Sequence, residues 1–186
     1  TQRPDLPKTR LREMFQFLRV YCEASGGNDS VADMGMLLHG PPGTGKTRLC
    51  EAFMASVGLH AVVEPLASTD MNRPHVGETE EVLRALFGRA RHTPHLLCAI
   101  AIDEIDALTP KRNEKVSEHR ISAMSTVLAL LGGIKAVPNM VVIASTNRLN
   151  VMDDAIKRRL TGKFFVGRPA PDDRRQAVLA AFYGDV

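Results

Sequence analysis

Residues 40–47 read Gly40-Pro41-Pro42-Gly43-Thr44-Gly45-Lys46-Thr47, the G-x-x-x-x-G-K-[ST] spacing of a phosphate-binding loop. Such a loop constrains everything around it, because it works only between a buried strand and the N-terminus of a helix. Both flanks fit. The apolar run Met34-Gly35-Met36-Leu37-Leu38-His39 reads as the strand, and Arg48-Leu49-Cys50-Glu51-Ala52-Phe53-Met54 as the helix. Between them a series of backbone N–H groups can face one concavity and wrap a nucleotide's phosphates. Gly43 and Gly45 stand where a Cβ would block positive φ or close approach. Lys46 supplies a mobile charge for the β- and γ-phosphates, and the Thr47 hydroxyl suits Mg2+. The expected nucleotide-binding residues are thus Gly40, Pro41, Pro42, Gly43, Thr44, Gly45, Lys46, Thr47 and Arg48.

Hydrolysis needs a second element, and residues 96–104 supply a candidate. Leu96-Leu97-Cys98-Ala99-Ile100-Ala101-Ile102 is a continuous apolar run, as in a strand buried on both faces, and it ends in Asp103-Glu104. Ligands of open α/β sheets bind at the C-terminal ends of the strands. Asp103 is therefore expected near Thr47, holding the Mg2+ shell, with Glu104 left to orient and polarise an attacking water. A third β-rich run, Asn139 to Thr146, ends at Asn147. Asn147 either contacts the γ-phosphate and the lytic water or simply starts a turn, and the residues alone allow both.

With these elements in order, the chain resembles the AAA+ ATPase superfamily, and within it the AAA family proper. His75-Val76-Gly77-Glu78-Thr79-Glu80 is similar to the family's aromatic-apolar-Gly-Glu-Ser-Glu segment. Ile102-Asp103-Glu104-Ile105-Asp106-Ala107-Leu108 resembles its second nucleotide motif. Ser145-Thr146-Asn147-Arg148 followed by Asp153-Asp154-Ala155-Ile156-Lys157-Arg158-Arg159 resembles the region that sets this family apart. The resemblance implies an ATPase that uses ATP and Mg2+, assembled in a usually hexameric ring with nucleotide at the interfaces. It gives Asn147 a sensor role and Arg158 the place of a finger reaching the neighbouring subunit's γ-phosphate. A guanidinium suits that task, since it donates in fork geometry to developing phosphoryl charge. Arg159 is favoured as the second finger, over Thr161 or nearby Lys163. His75 and Val76 take the place of the substrate-gripping pore loop, although His75 replaces an aromatic and follows Pro74. Lys111-Arg112-Asn113-Glu114-Lys115 falls where a second pore loop would lie, or forms a solvated mixed-charge loop. The leading expectation is a motor that remodels, unfolds or disassembles a protein substrate, directly or through an adaptor. A nucleotide-gated scaffold is the alternative suggested by His75, and a nucleic-acid loader or helicase ranks third.

Composition narrows these readings. The net charge of +3 is dispersed, with no basic stripe interleaved with aromatics, so nucleic acid binding is not demanded. Cys22, Cys50 and Cys98 lack C-x-x-C spacing and read as core thiols of a reducing, intracellular compartment. The six histidines show no zinc-ligand spacing, and neither a signal peptide nor a membrane-length apolar run is visible.

The coarse pattern alternates strand and helix. Helices are expected over 6–24, 78–91 and 117–131, and further strands over 60–64 and 163–166. Alternation predicts an α/β fold with a parallel sheet covered on both faces. The resemblance makes it a phosphate-loop NTPase, a three-layer αβα sandwich with a five-stranded sheet in the order 5-1-4-3-2. It also implies a helical lid, of which 172–186 looks like the beginning. Residues 1–186 are accordingly expected to be one large α/β nucleotide-binding subdomain of a longer protein, with the lid absent or only begun.

Overall fold

The computed structural model describes residues 6–24, 35–57, 62–66, 78–94, 96–107, 125–129, 131, 139–171 and 174. In chain order it comprises α1 (Leu6–Ala24), β1 (Gly35–His39), α2 (Lys46–Val57), β2 (Val62–Leu66) and α3 (Glu78–Arg91). Then follow β3 (Cys98–Ile102), a 3-10 turn (Ile105–Ala107), β4 (Met140–Thr146), a second 3-10 turn (Leu149–Val151), α4 (Asp154–Arg159) and β5 (Gly162–Phe165). A further helical stretch covers 125–129, part of the helix expected over 117–131, and Leu131 is already in a turn; residues 117–124, 130, 172–173 and 175–186 lie outside the described residues.

The strands form one parallel sheet in the order β2-β3-β4-β1-β5, which is the expected order read from the opposite edge. Central strands β1, β3 and β4 are buried almost throughout, as continuous apolar runs require when both faces are covered. Side chains alternate between the faces. Met36, Leu38, Ala99, Ala101, Val141 and Ile143 join Met14, Leu18, Phe53 and Met54 of α1 and α2 in one core. Leu37, Cys98, Ile100, Ile102, Met140, Val142 and Ala144 join Phe87 and Ala90 of α3, Val127, and Ile156 and Leu160 around α4 in the other. Two cores separated by one sheet make the three-layer sandwich. Each Leu, Ile or Phe fully buried there contributes ~1.5–3 kcal/mol. Phe15 against Phe53, with ring centroids 5.2 Å apart, and Phe17 edge-on to Phe164 at 5.9 Å lock α1 over α2 and β5.

Element boundaries moved in places. The second strand runs two residues later than expected, over Val62–Leu66, and carries Pro65 within it. Its pairing with β3 shifts register between Val63 and Leu66. Proline has no N–H to donate to a ladder, and β2 tolerates it because it is an edge strand. β5 begins one residue early, at Gly162.

Candidate nucleotide site

The parallel register brings the chemistry to one end of the sheet. Ile102 pairs with Ala144, and Leu38 and His39 pair with Ser145 and Thr146, so the chain leaves β1, β3 and β4 at the same edge. From β1 it enters the loop 40–45. Gly40 is required by close approach: a Cβ there would lie 2.1 Å from the Val166 carbonyl oxygen. Gly43 and Gly45 adopt φ of 72° and 86°, the left-handed region that glycine enters without strain. A Cβ on either would meet no heavy atom within 4 Å, so the concavity is open at its mouth. Thr44 Oγ1 donates to the Pro41 carbonyl at 2.9 Å and braces the turn. Gly45 then starts α2, its carbonyl accepting the Leu49 N–H at 2.9 Å. The first N–H groups of α2 lack intrahelical partners and carry the positive end of the helix dipole.

Lys46 is buried, and its Nζ donates to the Gly40 and Pro41 carbonyls at 3.2 and 2.8 Å. Burial holds its ammonium below the ordinary lysine range, while the carboxylates of Asp103, Asp106 and Glu104 pull it upward. Arg48, one turn into the helix surface, is exposed.

The acids stand beside this loop. Thr47 Oγ1 donates to Asp103 Oδ2 at 2.9 Å, joining residues 56 positions apart. Asp103 Oδ1 accepts the Glu104 N–H at 2.9 Å and also the Ser145 hydroxyl. Glu104 is exposed and left-handed, with φ of 50°, a conformation that costs a non-glycine residue ~1–2 kcal/mol. That strain sits at the residue expected to face the attacking water. On the other face of β4, fully buried Thr146 donates to Asp106 at 2.7 Å and accepts the Arg148 N–H at 2.9 Å. Asn147, between them, is exposed at the tip of β4.

This set of groups fits ATP with Mg2+. Two hard oxygen donors, a hydroxyl and a carboxylate, converge as a magnesium ion completed by water and phosphate oxygens demands. A cationic ammonium and a helix N-terminus face the same concavity. Comparison with known proteins agrees: the model of the ATPase family associated with various cellular activities (AAA) matches residues 36–168.

The chain belongs to the AAA ATPase family.

AAA ATPases use ATP with Mg2+. Among the relatives of this AAA chain, the ATPase family gene 2 protein of Schizosaccharomyces pombe is 45% identical over 153 residues, covering 81% of the chain and 18% of that protein. A cell division cycle protein 48 homolog of Archaeoglobus fulgidus is 35% identical over 144 residues, covering 76% and 19%. The ATPase histone chaperone abo1 of Schizosaccharomyces pombe is 33% identical over 174 residues, covering 91% and 14%. The chain thus spans less than a fifth of the length of these relatives.

The two arginines of the AAA domain differ in setting. Asp153 caps α4, its carboxylate accepting the Ala155 N–H at 2.7 Å, and Ile156 and Leu160 anchor the helix in the core. Arg158, two residues on from Ile156, therefore points away from the core and is exposed. Arg159 is half-buried, donates to the Ala155 carbonyl at 3.1 Å, and buries its Nε without a partner. Neither reaches the acids or the loop through a hydrogen bond or ion pair among the described residues. His75, Val76 and Lys111–Lys115 lie outside the described residues.

Sequence reasoning missed Ser145, Thr146 and Asp106 as parts of the site. The signal was available in outline: strand alternation puts Ser145 on the same face as Ile143 and α2, and Thr146 on the face of α3 and α4. The thiols behave as expected of core residues, since Cys50 and Cys98 are both buried and free. Burial, followed by the charges of Asp103 and Glu51, pushes the Cys50 thiol up to about 12. Among the described residues, no helix is long and apolar enough to cross a membrane.

Proposed function

We propose that this AAA domain binds ATP·Mg2+ in the 40–48 loop, hydrolyses it, and couples hydrolysis within a ring to remodelling of a protein substrate. The observation that carries the reading is the Thr47 hydroxyl meeting the Asp103 carboxylate at 2.9 Å beside the loop. In this reading Thr47 and Asp103 hold the magnesium shell, and Lys46 and the loop amides hold the phosphates. Glu104 orients and polarises the attacking water, and Asn147 contacts the γ-phosphate and that water. Exposure of Arg158 suits a finger acting on a neighbouring subunit, whereas the folded-back Arg159 must first release Ala155 to serve as a second one. Ring assembly rests on what AAA proteins typically do. Remodelling of protein substrates, with His75 and Val76 as the gripping loop, rests on the resemblance and on relatives such as the histone chaperone. The matches cover less than a fifth of these three relatives, which supports one large α/β subdomain of a longer protein.

Glu104→Gln tests the chemistry. ATP binding is expected to persist while steady-state turnover falls by ~10^2 or more, the scale for losing a general base. Undiminished turnover would remove Glu104 from its assigned role.

A further inference from the structure

We infer that Ser145 is a positioning residue that fixes the Asp103 carboxylate for magnesium, an inference that rests on the ATP·Mg2+ reading above. A free carboxylate turns easily about its terminal torsion, so its oxygens face a metal only if partners fix the plane. Here three donors do so. Thr47 holds Oδ2 at 2.9 Å, the Glu104 N–H holds Oδ1 at 2.9 Å, and the Ser145 hydroxyl closes on Oδ1 from the neighbouring strand. Thr47 and the Glu104 amide belong to the motifs themselves; Ser145 is a partner supplied by a separate strand, 42 positions along the chain from Asp103.

The placement follows from the sheet. Ile102 pairs with Ala144, so the next residues of these parallel strands, Asp103 and Ser145, are neighbours. Strand alternation puts both on the face of Ala101 and Ile143, toward α2, and Ser145 is only 5% exposed. A buried hydroxyl on a strand has little rotamer freedom to lose when it donates. An aliphatic residue at 145 would leave Oδ1 with the Glu104 amide alone. Ligand-orienting partners of this kind typically carry ~10–100-fold in metal affinity or activity. A small pocket lined by Thr47, Cys50, Ile143 and Ser145 lies alongside.

The test reads metal-coupled binding apart from turnover. A fluorescent ATP analogue is titrated against the full chain, once in EDTA and once in saturating Mg2+, and the ratio of the two affinities gives the magnesium gain. Ser145→Ala is expected to lower that gain about tenfold while leaving the EDTA affinity unchanged. Ser145→Thr, which keeps the hydroxyl, is expected to restore it. If the alanine variant does not fold, Ser145→Cys carries the test, because its weak S–H donor predicts a reduced gain. An unchanged gain in Ser145→Ala or Ser145→Cys overturns the inference, as does an equal loss of affinity with and without Mg2+. No magnesium gain in the unsubstituted chain would instead overturn the ATP·Mg2+ reading itself, and the inference with it.

Discussion

The phosphate loop and the acid-tipped ends of β3 and β4 meet at one site but are built by opposite means. The loop is chiefly a backbone object: Gly40, Gly43 and Gly45 all have positive φ, and the Gly40 N–H reaches across to the Thr146 carbonyl at 3.4 Å. Its side chains mostly turn back on its own carbonyls, as Thr44 and Lys46 do. The acid end is a side-chain object. Asp103 and Asp106 are held by hydroxyls from Thr47, Ser145 and Thr146, which come from other segments of the chain. A backbone device fails when a Cβ is added, whereas a side-chain device fails when a polar atom is removed. The first failure is steric and large; the second is a lost hydrogen bond and moderate.

That contrast can be broken by substitution. Gly40→Ala carries the largest expected effect, because the new Cβ would stand 2.1 Å from the Val166 carbonyl, which is backbone and cannot swing aside. The Val166 N–H bond to the His39 carbonyl, at 2.8 Å, would be pushed apart. A loss of about 3 kcal/mol is expected in urea unfolding, near the top of the range for overpacking. A loss below about 1 kcal/mol would show that β5 can shift and that the loop is softer than its geometry implies.

Thr146→Val removes a hydroxyl but keeps the shape, so it isolates the side-chain device. Asp106 loses a donor and the Arg148 N–H an acceptor. About 2 kcal/mol is the expected cost by chemical denaturation, the scale of leaving buried polar groups unsatisfied. A neutral result would place the strength of the acid end in its backbone after all.

The smallest effect belongs to His39, where β1 hands over to the loop. Burial, then the charges of Arg10 and Lys163, hold its imidazole below the ordinary value of 6.5. A depressed folded value means that the unfolded chain takes up the proton first as pH falls. The contribution is therefore present above about 6.5 and declines as pH drops toward the folded value. His39→Gln is expected to flatten part of that acid-side loss of stability in melting curves between neutral pH and pH 5. Its ring also packs on Phe165, with centroids 5.6 Å apart, so a small uniform loss at every pH accompanies the change.

The same contrast explains what the amino-acid sequence disclosed. A backbone device writes itself in contiguous glycines, and Gly40 to Thr47 announced the loop, the strand before it and the helix after it. Long apolar runs at Cys98–Ile102 and Met140–Thr146 announced doubly covered strands, and the amphipathic period gave Leu6–Ala24 and Glu78–Arg91 at their observed ends. The strand order came with the family resemblance. Side-chain networks are written in pieces. Ser145 reads as one more residue of a strand until β4 is known to lie between β1 and β3. The bounds of β2 are hard to read for a related reason: proline argues against a strand locally, and only the edge position of β2 makes Pro65 acceptable.

Ser145 and Thr146 are adjacent, yet the pleat sends one hydroxyl to Asp103 and the other to Asp106. A single peptide unit is thus the hinge pin between two separate circuits. Adding or deleting one residue within β4 would reverse their faces, turning Thr146 toward α2 and Ser145 toward α3 and α4. Length in this strand is therefore as constrained as identity. A lineage carrying this domain can exchange apolar residues along β4 with some freedom, but a one-residue change in its length puts both hydroxyls on the wrong faces.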